Sequence, residues 1–363
     1  MERTFKFLLV FLLVIFISSV TKAQSKKFVY TEASDLTLTG KLMDTPNPYH
    51  RVDTVVYKGF TASENGQVRN SSGIAVAFKT DSKSIYVLTK YGEIGFPTNT
   101  NGISGRGYDL YIKKDGKWLF AAAKVNSDKS LSKPLSLIGN MAEGEKECLL
   151  YLPTYSEVLS VKIGVEEEAT LEPLAMPFRH RIGIFGSSFT HGSSTSRAGM
   201  TYPAQFTRET GLQMLSLGCS GNSKLQDYFA AVLADAKVDA FVFDGFSNPS
   251  AEQIKTRLFP FIEQIQAKHP DTPLIFQRTI YREGENFDTA AYNRELGKFA
   301  VADSLMKIAC KKYKNVYYIR PNATSPDHEA TVDGVHPSNY GYTLWAESIE
   351  KPVKHILRKY GIK

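Results

Sequence analysis

Residues 182–192 read Ile182-Gly183-Ile184-Phe185-Gly186-Ser187-Ser188-Phe189-Thr190-His191-Gly192, an apolar run that stops at a cluster of small and hydroxyl-bearing residues. Such a run suits a strand covered on both faces, as strands of a parallel sheet are. A helix opening at the serines would present its free backbone N–H groups at the strand's end. The same rhythm recurs downstream: apolar runs at Met214 to Leu217, Ala240 to Phe243, Leu274 to Phe276 and Val316 to Ile319 alternate with helical patterns at Leu225 to Ala234, Ala251 to Ala267, Ala290 to Tyr313 and Gly341 to Tyr360. This alternation predicts a parallel α/β sheet of five strands over residues 177–363. Its site is expected at the carboxyl ends of the strands.

Upstream the period changes. Ile74 to Phe78, Ser84 to Thr89, Tyr108 to Ile112, Cys148 to Leu152 and Val158 to Val165 are short, partly alternating runs separated by Gly, Asn, Asp and Ser clusters, which predicts an all-β sandwich over residues 24–176. Lys114-Asp115-Gly116-Lys117 supplies a hairpin turn before Trp118-Leu119-Phe120. Ahead of both, Arg3 and Lys6 precede the apolar stretch Phe7 to Ile17 and then Ser18 to Ala23. That order predicts a signal peptide over residues 1–23 and export to the periplasm or beyond. The stretch falls short of the roughly 20 residues a bilayer span needs, and no later segment is apolar enough.

The formal charge of +7 loses two units with Arg3, Lys6, Lys22 and Glu2, leaving about +5. The surplus is scattered and forms no basic face with interleaved aromatics, so nucleic acid is an unsuitable partner. Cys148, Cys219 and Cys310 are too few for a disulfide framework. A Cys219–Cys310 bond and three buried free thiols are the two readings, the second preferred.

Four strand ends carry polar residues that chemistry could use. Ser188 is the candidate nucleophile; Ser187 is its rival, and either serine would also serve as a helix cap. After the second strand, Gly221 allows a close backbone approach to a substrate oxygen. After the third, Asn248 offers an amide donor to the same oxyanion. Near the C-terminus, Asp333-Gly334-Val335-His336-Pro337 places a carboxylate three residues from an imidazole that could take the serine's proton. Asp244 is the alternative carboxylate. His191, Tyr202, Phe246 and Tyr281 fall in the same loops, where they would either line a substrate pocket or fill core.

These blocks resemble the SGNH (GDSL-type) hydrolases, which contribute Ser, Gly, Asn and His in that chain order, here Ser188, Gly221, Asn248 and His336. The first block reads Gly-Ser-Ser where the family name has Gly-Asp-Ser. A narrower likeness is to the two-domain bacterial branch with a Gly-x-Asp-Leu-Tyr signature, matched by Gly107-Tyr108-Asp109-Leu110-Tyr111. The resemblance implies a jelly-roll-like domain on a flavodoxin-like α/β/α hydrolase domain. It further implies a Ser188-His336-Asp333 triad acting on carboxylic esters, most often acetyl groups on carbohydrate, with an oxyanion held by Ser188, Gly221 and Asn248. No cofactor or metal is expected. The rivals are a lipid esterase or thioesterase using the same triad, and a glycan-binding protein without turnover.

Overall fold

The structure, a computed structural model, describes residues 27–363; the expected leader lies outside the described residues. Ten strands fill residues 28–173: β1 (Phe28–Glu32), β2 (Thr37–Thr39), β3 (Ala75–Thr80), β4 (Ile85–Ile94), β5 (Tyr108–Lys114), β6 (Lys117–Lys124), β7 (Leu135–Ile138), β8 (Lys146–Tyr151), β9 (Ser156–Glu166) and β10 (Leu171–Pro173). They form two antiparallel sheets, one ordered β1-β9-β4-β7 and the other β10-β3-β8-β5-β6 with β2 also on β3. The turn between β5 and β6 has Asp115 at φ 51° and Gly116 at φ 77°, the left-handed pair that a two-residue hairpin requires.

Period-two alternation decides what each sheet face covers. In β8, Cys148 and Leu150 point between the sheets, where they meet Ile85 and Val87 of β4 and Val158, Val161 and Ile163 of β9. Leu149 and Tyr151 point the other way and pack with Tyr111, Phe178, Ala198 and Ala204. The centre of the second sheet, at β3 and β8, is therefore buried on both faces, which is why residues 148–152 are apolar without interruption.

The second half carries β11 (Arg179–Gly186), β12 (Leu212–Gly218), β13 (Ala240–Asp244), β14 (Leu274–Gln277) and β15 (Val316–Ile319). All pair in parallel, in the order β12-β11-β13-β14-β15. This 2-1-3-4-5 arrangement is the flavodoxin-like one. One face, with Phe185, Leu217, Phe243 and Phe276, is covered by α5 (Asp227–Ala234), α6 (Ala251–Gln266) and α7 (Thr289–Lys312). The other, with Ile184, Met214, Val242 and Ile275, meets α4 (Tyr202–Thr210) and α8 (Asn339–Arg358). Each such fully buried large side chain contributes roughly 1.5–3 kcal/mol.

Two features depart from the sequence reading. Helices α1 (Ala62–Arg69) and α2 (Gly102–Arg106) interrupt the expected all-β region. Helix α1 has little apolar surface but carries a complete capping box, with Thr61 and Glu64 satisfying each other's backbone N–H groups. The segment around it does not stay with the sandwich: Leu42, Val52 and Val68 are buried in the same cluster as Phe185 and Phe229. Arg51, fully buried, donates to the carbonyls of Gln67 at 2.5 Å, Asn70 at 2.9 Å and Gly218 at 2.9 Å, tying the end of β12 to this segment. All three cysteines are free thiols, Cys148 and Cys219 buried as expected and Cys310 exposed instead of buried.

Candidate active site

The carboxyl end of β11 runs through Gly186 and Ser187 into a one-turn helix, α3 (Ser188–His191), closed by Gly192 at φ 102°. The two serines part company here. Ser187 caps the helix, accepting from the Phe189 N–H at 3.2 Å, and gives its own N–H and hydroxyl to Asp244 Oδ2 at 3.0 and 2.6 Å. Ser188 is turned toward the C-terminal loop, its Oγ 3.0 Å from His336 Nε2.

That loop is built to hold an imidazole. Asp333 Oδ1 accepts from the backbone N–H groups of Val335 at 3.1 Å and His336 at 2.7 Å, a local turn in which Gly334 takes φ 78°. Asp333 Oδ2 then sits 2.8 Å from His336 Nδ1. This pairing fixes the proton on Nδ1 and leaves the Nε2 lone pair for the serine. Below the loop, the Glu283 carboxylate accepts from the N–H groups of Ala330 and Thr331 and from the hydroxyls of Thr331 and Thr324, at 2.6 to 3.0 Å. The Gly284 N–H donates to Gly334 O at 2.7 Å.

Burial pushes the Asp333 carboxyl up, but hydrogen bonds from the His336 backbone, the His336 ring and Asn99 outweigh it and hold the group at about 2. Since an unfolded aspartate titrates near pH ~3.9, its contribution to stability is whole above about pH 4 and is lost as the pH falls through about 2. With the side chain 36% exposed, the contribution is small. The melting-temperature gap between wild type and Asp333→Asn is expected to close across that window. A gap that stays constant down to the lower limit would refute this account.

The expected oxyanion donors lie on the neighbouring strand ends. β12 crosses hard against α3, since a Cβ on Gly218 would lie 2.2 Å from His191 N, and its loop leads to Gly221. Gly221 takes φ 73°, a left-handed conformation that suits glycine, with nothing within 4 Å of where a Cβ would stand. After β13, the half-buried Asn248 accepts from the Ser223 hydroxyl at 3.1 Å through Oδ1, which leaves Nδ2 without a partner among the described residues. Ser247 O, just before it, accepts from Arg282 Nη2 at 2.8 Å and Lys298 Nζ at 3.2 Å. Glu295 balances these cations, 2.5 Å from Lys298 and 3.4 Å from Arg282.

Several alternatives that the sequence leaves open are decided by the packing. Asp244 does not reach His336: it is buried, and its carboxylate is taken up by Ser187, Thr190 and Ser247. His191 is fully buried, stacked on Tyr155 at 4.2 Å with Nε2 2.8 Å from Thr154 O, and burial followed by the nearby Arg51 charge holds it well below its ordinary pKa. It lines no pocket. Tyr202 is core as well, because Thr201 caps α4 and places this ring on Trp345 at 4.3 Å. Phe246 packs against Phe276 at 5.9 Å. Tyr281 is half-buried, its hydroxyl on Asn286 and its ring 5.7 Å from His328.

The sequence reading also passed over residues that the fold brings in. Asn99, from the loop after β4, has Nδ2 3.2 Å from Asp333 Oδ2 and 3.1 Å from His336 Nδ1. Glu283, Ser223, Arg282 and Lys298 support the loops from behind. Asp109 and Tyr111 of the Gly-x-Asp-Leu-Tyr signature were not passed over; expected from the sequence as glue at the domain junction, they lie there, Asp109 accepting from Arg197 Nη1 at 3.0 and 2.9 Å and from the Gly199 N–H at 2.8 Å. Among the described residues no group of three or more His, Cys, Asp or Glu side chains could hold a metal ion, and no helix is long and apolar enough to cross a membrane.

Residues 179–354 match the GDSL-like lipase/acylhydrolase family, and residues 27–171 match the N-terminal region of SGNH hydrolase-type esterases. Among solved structures, a protein from Bacteroides ovatus described as a GDSL-like lipase is 36% identical, with a TM-score of 0.88 over 92% of this chain and 98% of that one. The salicylyl-acyltransferase SsfX3 of a tetracycline biosynthetic pathway shares 21% identity, with a TM-score of 0.64 over 92% of this chain and 98% of its own. A family two carbohydrate esterase from Cellvibrio japonicus shares 11% identity at a TM-score of 0.60, over 92% and 99% of the two chains. No curated protein matches the sequence.

Proposed function

The chain belongs to the family of GDSL-like lipases and acylhydrolases, and we propose that this esterase removes acetyl groups from carbohydrate through an acyl-enzyme on Ser188. The observation that carries the reading is the continuous relay from Ser188 Oγ through His336 to Asp333, with steps of 3.0 and 2.8 Å. His336 Nε2 takes the serine proton as Oγ attacks the ester carbonyl carbon. The oxyanion that forms would be met by the N–H groups of Ser188 and Gly221 and by Asn248 Nδ2, three donors at the ends of adjacent strands. The imidazolium, stabilised by Asp333, then gives its proton to the leaving sugar hydroxyl. Water enters, loses a proton to Nε2 and releases acetate, restoring the serine.

A sugar substrate is supported by exposed rings on segments that adjoin or touch the Asp333–His336 loop. Phe96 shares a loop with Asn99, Phe287 follows the Gly284 that meets Gly334, and Tyr340 opens α8 just past His336; all three are more than half exposed, at 59, 98 and 52%. Phe287 and Tyr340 presented this way suit stacking on sugar faces, while Phe96 already has the Arg106 guanidinium over one face at 4.4 Å. The shared fold with a carbohydrate esterase is in keeping with this reading. Residues 1–23, read as a signal peptide, would take the enzyme to polysaccharide outside the cytoplasm.

The test is acetate release from acetylated xylan and cello-oligosaccharides, beside p-nitrophenyl acetate, butyrate and octanoate. Acetyl is expected to exceed octanoyl in kcat/KM by about tenfold or more. Activity that rises with acyl length would place the enzyme among lipid esterases instead, and absence of turnover on every ester would favour a glycan-binding protein.

A further inference from the structure

We propose that Asn99, carried by the β-sandwich, is a positioning residue for the Asp333–His336 pair, so that the N-terminal half completes the hydrolytic site. The inference rests on the proposed triad and adds a residue to it. Asp333 Oδ1 is filled by two N–H groups of its own turn, and Oδ2 takes the His336 ring. One acceptor direction on Oδ2 remains, and Asn99 Nδ2 occupies it at 3.2 Å. With the Nδ1 proton committed to Asp333, Nδ1 has no lone pair for Asn99. The 3.1 Å approach of Nδ2 to Nδ1 is therefore contact only, and the amide hydrogen belongs to the carboxylate. An amide turned the other way would set its oxygen against the carboxylate and is disfavoured.

Three consecutive side chains dock this loop. Beside Asn99, Thr100 Oγ1 accepts from the Ser194 N–H at 3.1 Å, and Asn101 Nδ2 donates to Ser196 O at 3.0 Å. Ser194 and Ser196 lie in the loop leaving the nucleophile's helix. One segment of the sandwich thus touches both the serine side and the histidine side of the site. Other charges around the imidazole are few: Asp333 on its own loop, Glu283 engaged with Ala330 and Thr331, and Arg282 placed over Phe189, whose ring lies 5.6 Å from that of His336. Asn99 is the neutral donor among them.

The experiment compares Asn99→Asp, Asn99→Ala and Ser188→Ala in the whole protein on p-nitrophenyl acetate across pH. A second carboxylate at residue 99 stabilises the imidazolium, so the acidic limb of the kcat/KM profile in Asn99→Asp is expected to move up by about one pH unit. Asn99→Ala leaves the Asp333 lone pair to water and is expected to lower kcat about fivefold at unchanged KM, with the melting temperature within about 2 °C of wild type. An acidic limb that stays in place in Asn99→Asp, or a wild-type kcat in Asn99→Ala, overturns the proposal. Should Asn99→Asp not fold, Asn99→Ala decides alone. Ser188→Ala separates the two levels: if it keeps its turnover the triad itself is wrong, whereas if it loses turnover while the Asn99 variants behave as wild type, only the role of Asn99 falls.

Discussion

Replacing Ser188 with alanine is expected to lower ester turnover by roughly 10⁴-fold or more, because nucleophile and base act as a unit and removing one forfeits nearly all of their joint effect. The protein should still fold. The Ser188 hydroxyl has one hydrogen-bond partner among the described residues, His336 Nε2, and neither caps α3 nor bridges to the core. Its melting temperature should stay within about 2 °C of wild type, as for a substitution that leaves no buried group unsatisfied. The neighbouring serine makes the opposite case. Ser187→Ala removes a helix cap and a donor to the buried Asp244, which should cost about 1–3 kcal/mol and leave the relay from Ser188 to His336 in place. Steady-state kinetics beside thermal melts of the two variants would expose an exchange of roles. More than about 1% of wild-type turnover in Ser188→Ala would move the nucleophile elsewhere.

The reason Ser187 and Ser188 differ is partly legible in the sequence and partly not. A strand ending in Gly-Ser-Ser before a helical turn announces a cap and an exposed hydroxyl, and the Asp333 to His336 spacing announces a histidine held by its own turn. Neither says which serine faces the histidine. That choice is made by Asp244, which the sequence reading held as an alternative partner for His336 and which the fold places against Ser187.

The five parallel strands were readable because both of their faces are buried, so each is a continuous apolar run. The aromatic residues of these loops stay open between pocket and core because their direction is set by packing: Tyr202 sits after a threonine cap and before a proline, signals for a helix start, and the helix turns the ring onto Trp345. Asn99 lies beyond any local signal. It belongs to a polar Pro-Thr-Asn-Thr-Asn run like many surface turns, and only the packing of the sandwich on the α/β sheet brings it to the Asp333 carboxylate.

That packing leads to the second large effect. Asp109→Ala is expected to destabilise the protein by about 3–5 kcal/mol, since it strips one partner from a buried ion pair. The Asp109 side chain is 1% exposed and that of Arg197 19%, so the guanidinium cannot simply turn to water. Burial pushes the Asp109 carboxyl above its ordinary value, against the pull of Arg197 and the Gly199 N–H, which marks desolvation as the dominant cost of placing it there. The removal also leaves Gly199 N without its acceptor, in a turn so close that a Cβ on Gly199 would lie 2.6 Å from the Tyr111 ring. The melting temperature should fall by roughly 4–7 °C. Pairing the change with Arg197→Met should restore part of the loss, because an apolar pair of similar size asks for no compensation. Were the single variant to melt within about a degree of wild type, or the double variant to be less stable than the single, the signature would not be what holds the sandwich on the hydrolase sheet. Because the Arg197 loop joins the nucleophile's helix to α4, a destabilised junction should also lower turnover before the sheet itself unfolds, so activity should decay at temperatures below the melting point of the variant.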